Sequence, residues 1–261
     1  MQGIKVVKIG GNVVDDEQAL ERFCADFAQI AGPKVLVHGG GAVASRIQTA
    51  LGQTPIKIEG RRVTDEETLK VVTMVYSGWC NKHIVSLLQA RGCNALGLSG
   101  CDANVVKARR RAPRTLKDGV TVVDYGFVGD VTPVSVNVRV LENFLESGFV
   151  PVLCAINHDG EGNLLNTNAD TMASSVAAAL GASLFCCFEL DGVLADRSDP
   201  SSVIPVISGE DFEAMKRDGT VADGMIPKIE NALNALREGA SEAVIKNSSA
   251  LLKPGGTRVV L

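Results

Sequence analysis

Six short apolar runs punctuate the chain, with helical periods between them: IKVVKI (4–9), KVLVH (34–38), ALGLSG (95–100), VPVLCAI (150–156), SLFCCFEL (183–190) and EAVIKN (242–247). Strands this uniformly apolar are buried on both faces, and parallel pairing under crossover helices is the arrangement that covers both. After the first run, Leu20, Phe23, Cys24, Phe27 and Ala28 keep the i, i+3, i+4, i+7, i+8 spacing of a buried helical stripe, and Gly32-Pro33 ends it. GAVASRIQTALG predicts a second helix ending at Gly52, and Thr64 to Glu67 reads as a capping box opening a helix through about Ala90. Further helices are expected near 137–147, 168–180 and 227–238. The pattern predicts an α/β fold with three layers, a mostly parallel open sheet between two layers of helices. No Gly/Ser-rich or Pro-rich linker divides it, so residues 1–261 read as one domain, with two lobes meeting near residue 165.

Residues 105–135 break the alternation. Asp118-Gly119 is a turn signal followed by alternating residues, which predicts a β-hairpin insertion. The hairpin carries a basic run from Lys107 to Lys117, but no aromatic residues interleave with it, so it reads as a solvated face. With a net charge of −4 there is no global basic field, and a nucleic-acid partner is not expected. No stretch of 18 apolar residues is present and the N-terminus enters a strand at once, so neither a membrane span nor a signal peptide is expected. The seven cysteines (24, 80, 93, 101, 154, 186 and 187) form no CxxC pair, and the histidines do not cluster with them. Thiols in a reducing cytosol are the expectation, with no protein-held metal and a cytoplasmic location.

Two glycine loops follow the first two strands. Lys8 stands just before Ile9-Gly10-Gly11, in an otherwise apolar strand, where an edge position would turn it to water and a central position would make it a phosphate clamp. The second loop, Gly39-Gly40-Gly41, opens a helix whose N-terminus attracts an anion. That anion is either a dinucleotide or a small acid. Gly39 to Ala44 fits GxGxxA with Glu59 about 20 residues on, the outline of a dinucleotide fingerprint, although it follows the second strand rather than the first. No P-loop is present.

Other candidates lie further along. Arg61 and Arg62 precede a capped helix, where a guanidinium either serves structure or grips a carboxylate through two parallel hydrogen bonds. Asn168 is a natural N-cap and Asp170 suits the first turn after it, whereas Asn166 has no structural excuse and can donate to a ligand. Pro227 suits the first position of a helix whose buried stripe is Ile229, Ala232, Leu233 and Leu236. Lys228 then sits in a first turn, where a cation is disfavoured by roughly 0.3–1 kcal/mol. Asp170 or a bound phosphate would compensate it.

Taken in order, VVKIGGNV (6–13), VLVHGGGAV (35–43), EGRRVTD (59–65), ALGLSG (95–100), DYGFVGDV (124–131), LLNTNADTMA (164–173), DGVL (191–194), DGMIPKIENA (223–232) and GTRV (256–259) resemble the amino acid kinase family. GRRVTD and YGFVGDV point to its acylglutamate branch. The resemblance implies phosphorylation of the side-chain carboxylate of N-acetyl-L-glutamate by ATP with Mg²⁺, the metal held mainly by the nucleotide phosphates. A succinyl group in place of acetyl, glutamate itself as acceptor, and a dinucleotide-dependent oxidoreductase are the alternatives. It also implies that Lys8 and Lys228 flank the transferred phosphoryl group, and that Asp170 orients both ammonium groups. Gly40 and Gly41 then donate to the acylglutamate, Arg62 holds its α-carboxylate and Asn166 its acyl amide. Gly10 and Gly11 approach the phosphates, and Asp191, Gly192, Val193, Leu194, Asp223, Gly224 and Met225 line the nucleotide lobe.

The chain departs from the family at Glu189, where Asp is frequent, and at Ala222, where Thr or Gly is frequent. Only three residues precede Ile4, whereas arginine-inhibited hexameric members carry an extra N-terminal helix. An arginine-insensitive homodimer is therefore expected.

Overall fold

The computed structural model describes residues 3–116 and 118–261. Eight strands form one sheet: β1 (Lys5–Ile9), β2 (Lys34–His38), β3 (Ala95–Leu98), β4 (Val150–Cys154), β5 (Ser183–Phe188), β6 (Val206–Ile207), β7 (Glu242–Asn247) and β8 (Thr257–Val259), in the order β6-β8-β7-β5-β1-β2-β4-β3. All pairs are parallel except β7 with β8. The six strands foreseen from apolar runs are β1 to β5 and β7, of which β3 closes one edge of the sheet, and β2 is buried at all five positions. β6 at the edge and β8 beside it are short strands that no long apolar run announces.

Helices α1 (Gly11–Asp15), α2 (Glu17–Gln29), α3 (Gly41–Ala50), α4 (Glu66–Thr73), α5 (Asn81–Gln89), α6 (Val138–Glu146), α7 (Ala169–Ala179), α8 (Gly209–Asp218) and α9 (Ile226–Arg237) fill the connections. Leu20, Phe23, Cys24 and Phe27 of α2 are buried as the stripe predicts, each large side chain contributing about 2 kcal/mol of apolar burial. α8 was not foreseen, because its face is mostly charged; Ser208 and Asp211 cap it reciprocally.

Two local expectations are corrected. The cap of α4 is Asp65, whose carboxylate accepts the Thr68 N–H, and Thr64 is buried elsewhere. α9 begins at Ile226, which puts Pro227 second in the helix and leaves Lys228 in the first turn. Between α4 and α5 the helix does not stop at all. Met74–Cys80 continues it as a π-helical segment, a widened turn with an extra residue of the kind often found beside functional sites.

The 105–135 region folds as antiparallel ribbons: Arg114–Thr115 pairs with Val122–Val123, and Arg109–Arg110 with Gly129–Asp130. Asp118 accepts the N–H groups of Val120 and Thr121 at the tip, and Lys117 lies outside the described residues. The basic run is not simply a solvated face. Arg111 is only 13% exposed and pairs with Asp130, and Arg114 pairs with Glu59.

Candidate active site

β1 lies between β2 and β5, so Lys8 is on a central strand, flanked in register by Val37 and Cys186. The carboxyl ends of β1, β2 and β4 border a cavity of about 360 Å³. It opens where successive strands depart to opposite sides of β1, the place where open α/β sheets take ligands. Glycine loops follow both β1 and β2 and start helices there, α1 at Gly11 and α3 at Gly41.

Lys8 and Asp170 meet in this cavity, Nζ to Oδ1 at 2.6 Å, with both side chains largely buried. Asp170 is placed by the N-cap of α7, where Asn168 accepts the N–H groups of Asp170 and Thr171. Burial pulls the Lys8 pKa down, but the charge and hydrogen bond of Asp170 outweigh it and leave Lys8 above its ordinary value. Burial likewise pushes Asp170 up, and Lys8 followed by Lys228 carries it below the usual carboxylate range. Both groups are therefore ionised at neutral pH. Lys228 acts on Asp170 at longer range, from above the ring of Phe188, the last residue of β5. This supplies the counter-charge that a first-turn lysine needs.

The second glycine loop is held from three sides. His38 is fully buried; its Nδ1 donates to Gly39 O at 2.7 Å and its Nε2 accepts from Asn81 Nδ2 at 3.0 Å. Burial pushes its pKa down to about 4, only partly opposed by the Gly39 hydrogen bond, so the ring is neutral. Gly40 packs against the π-helical segment: a Cβ there would stand 2.8 Å from the Tyr76 ring and 3.0 Å from Cys80 Sγ. Arg62 donates through Nη2 to Gly41 O at 2.8 Å and to Ser45 Oγ at 2.6 Å, and through Nη1 to Gln48 Oε1. Three of its five N–H groups are spent on these partners, which hold its pose at the cavity wall. Asn166, 7% exposed, donates to Thr64 Oγ1 at 3.0 Å. Thr64 is in turn fixed by Gly126, whose Cβ would fall 2.3 Å from Thr64 O and whose φ is +73°, so only glycine serves there.

Lys8, Gly11, Gly40, Gly41, Arg62, Asn166 and Asp170 thus line one cavity. Gly10 lies behind it and spends its N–H on Cys187 O, so its contribution is the close turn and not a donor. Arg61, offered with Arg62 as a carboxylate-gripping candidate, lines the cavity too, and Asn12, Tyr76, Lys57 and Arg111 line it without having been foreseen there. Asn12 was legible in GGNV, directly after the glycines. Tyr76 carried no signal, since on an α-helical wheel it is one more buried position. Glu59, the acid of the dinucleotide outline, is paired with Arg114, which leaves that fingerprint without its ribose acceptor.

A second, largely apolar cavity of about 280 Å³ is lined by residues including Leu190, Val193, Leu194, Val221, Gly224 and Met225. Asp191 and Gly192 support its wall instead. Asn247 Nδ2 donates to Asp191 Oδ1 at 2.8 Å, and a Cβ on Gly192 would meet Thr257 Oγ1 at 2.7 Å. Thr257 Oγ1 accepts the Val193 N–H, which gives GTRV its role in this wall. Glu189, next to Leu190, accepts from Asn12 Nδ2 at 2.6 Å. The side chain of Asp223 lies outside the described residues.

The pattern of the amino acid kinase family matches residues 3–247. The chain is 49% identical over 260 residues to the acetylglutamate kinase of Bacteroides fragilis, covering 98% of this chain and 96% of that one. Among solved structures, the smu.665 protein of Streptococcus mutans aligns with a TM-score of 0.77 at 29% identity, over 100% of this chain and 99% of that one. N-acetylglutamate synthase from Neisseria gonorrhoeae, complexed with coenzyme A and N-acetyl-glutamate, gives 0.82 at 24% identity. This chain is matched over 99% of its length and spans 59% of the synthase, a likeness of fold.

Proposed function

The chain belongs to the amino acid kinase family, and from that premise we propose that it phosphorylates the side-chain carboxylate of N-acetyl-L-glutamate with ATP in arginine biosynthesis. The observation that carries this reading is the buried Lys8–Asp170 pair in a cavity that also holds Arg62 and both glycine loops.

The acceptor carboxylate titrates near pH 4.3 and is already ionised at neutral pH, so no general base is required. One of its oxygens attacks the γ-phosphorus, the bond from that phosphorus to the β,γ-bridging oxygen breaks, and its electron pair leaves on ADP. The difficulty is the approach of like charges, which fixed cations relieve. Lys8 meets the attacking side and Lys228 the nucleotide side, with Asp170 orienting both. Gly40 and Gly41 present the N-terminus of α3 to the acid, Arg62 takes the α-carboxylate, and Asn166 takes the acyl amide. Gly10 and Gly11 allow the phosphates to come close. Asp191, Gly192, Val193, Leu194, Asp223, Gly224 and Met225 form the nucleotide pocket, with Asp191 and Gly192 acting through its wall. Mg²⁺ bound to the phosphates of ATP would neutralise charge during transfer. Asp170, the one carboxylate that lines the cavity among the described residues, is engaged by Lys8. This favours a metal carried by the nucleotide.

The same reading takes residues 1–261 as one kinase domain, about 1–165 binding the acid and mediating dimerisation and about 166–261 binding ATP. A homodimer is supported by Met74 and Trp79, 60% and 64% exposed on the π-helical segment. A cytoplasmic location is supported by seven free cysteines. Among the described residues no helix is long and apolar enough to cross a membrane.

The test is ADP release with MgATP, with hydroxylamine added to trap an acyl phosphate. Release and hydroxamate with N-acetyl-L-glutamate, and neither with free L-glutamate, are expected. Turnover of glutamate alone would move the activity to another acid kinase of this fold.

A further inference from the structure

Five cations, Lys8, Lys57, Arg61, Arg62 and Arg111, line the cavity of the Lys8–Asp170 pair against a single carboxylate among the described residues, Asp170. Lys8 is paired with Asp170, and Arg111 with Asp130 outside the lining. Arg62 answers the α-carboxylate, and Lys57 is exposed at the mouth. Arg61 is left over. It is half-buried, and among the described residues no carboxylate pairs with it. Burial and then the neighbouring charges of Arg111 and Arg114 lower its pKa, with Asp130 opposing them only in part. A guanidinium kept partly from water among like charges is costly unless an anion joins it.

Its position says which part of the ligand would bring that anion. Arg61 stands beside Arg62 on the short ribbon Lys57–Ile58 with Arg61–Arg62. Its neighbour Arg111 donates its backbone N–H to Val128 O at 2.8 Å, and Val128 bridges to Asn166. Asn166 is the residue that takes the acyl amide, so the spare cation belongs to the acyl side of the ligand. An acetyl group ends there in a methyl, which offers Arg61 nothing.

We propose that the acyl group this site selects ends in its own carboxylate, as in N-succinyl-L-glutamate, and that Arg61 is the specificity-determining residue that binds it. The proposal rests on the cavity being the acylglutamate site, and it keeps N-acetyl-L-glutamate as a substrate that is turned over less efficiently. Arg61 plays no part in the bond-making step; its charge acts on binding.

The deciding experiment compares kcat/KM of the full chain for N-acetyl-, N-butyryl- and N-succinyl-L-glutamate with MgATP, butyryl being nearly as long as succinyl but neutral. A preference for succinyl of at least tenfold over both others is expected. In Arg61→Gln that preference should shrink at least tenfold, through a higher KM for the succinyl substrate, and Arg61→Lys should restore part of it. Acetyl turned over as well as succinyl would overturn the proposal and leave the kinase reading intact. Butyryl equal to succinyl would overturn it too, since length and not charge would then be read. An equal loss on all three substrates in Arg61→Gln would remove Arg61 from specificity. Silence of the unaltered chain on all three would overturn the underlying reading as well. Should Arg61→Gln fail to fold, the succinyl-to-butyryl ratio of the unaltered chain decides alone.

Discussion

Lys8 Nζ lies 2.6 Å from Asp170 Oδ1, a contact that ties the end of the central strand to the first turn of α7. It keeps a cation and an anion ionised where either alone would be neutralised by burial. The pair also sets the ammonium group at the edge of the cavity. Lys8→Arg keeps the charge but replaces a compact ammonium with a planar fork that cannot fit the same geometry. Its kcat is expected to fall at least a hundredfold with a near-unchanged melting temperature. Near-normal turnover would remove Lys8 from the mechanism.

Gly40 is required by close approach and not by backbone strain. Gly40→Ala places a methyl 2.8 Å from the Tyr76 ring and 3.0 Å from Cys80 Sγ. Either the π-helical segment or the loop must yield, at about 1–3 kcal/mol. Urea unfolding should show that loss, and steady-state kinetics a KM for the acyl acid raised at least tenfold. Gly11→Ala is the comparison, because nothing lies within 4 Å of its Cβ position. Its stability should stay within about 0.5 kcal/mol of the parent.

His38 makes stability depend on pH. In the fold its pKa is pushed down to about 4, against 6.5 for the free side chain. Between those values the unfolded chain binds a proton that the folded chain refuses. The neutral ring's contribution is therefore whole above pH 6.5 and shrinks as pH falls toward 4. At pH 5 the loss is about 2 kcal/mol. Urea midpoints at pH 7.5 and 5.0 should differ more in the parent than in His38→Gln, which has no proton to exchange. Equal differences would show that His38 contributes nothing to the pH dependence.

Trp79 is 64% exposed and packs only at an angle on His83, 5.4 Å between ring centres. With Met74 it gives the π-helical segment an apolar outer face. Sedimentation should find the parent chain dimeric and Trp79→Glu shifted toward monomer, because the introduced charge would be buried in the interface. A parent chain that sediments as a monomer or a hexamer contradicts the dimer.

The sequence alone determined the parallel core, most of the helices and the candidate residues Lys8, Arg62, Asn166 and Asp170 that the fold gathers into one cavity. These depend on local regularities: an apolar run needs burial on both faces, a 3.6-residue stripe needs one buried side, and glycine pairs after strands mark close approach. Lys8, Arg62, Asn166 and Asp170 were nameable because they stand inside such motifs in a fixed order. What the tertiary structure decided involves partners distant in sequence. Thr64 has the spacing of a helix cap, yet its hydroxyl accepts from Asn166 while Asp65 does the capping. The widened turn at Met74–Cys80 is invisible to a helical stripe, because its purpose is contact with Gly40 from another element. In sequence Arg61 and Arg62 stand as equal candidates for a structural or a carboxylate-gripping role. Only the folded ribbons show Arg111 and Glu59 answered by other residues while Arg61 lines the cavity with no paired carboxylate among the described residues. Charge compensation is a sum over neighbours in space, and spacing along the chain does not contain that sum.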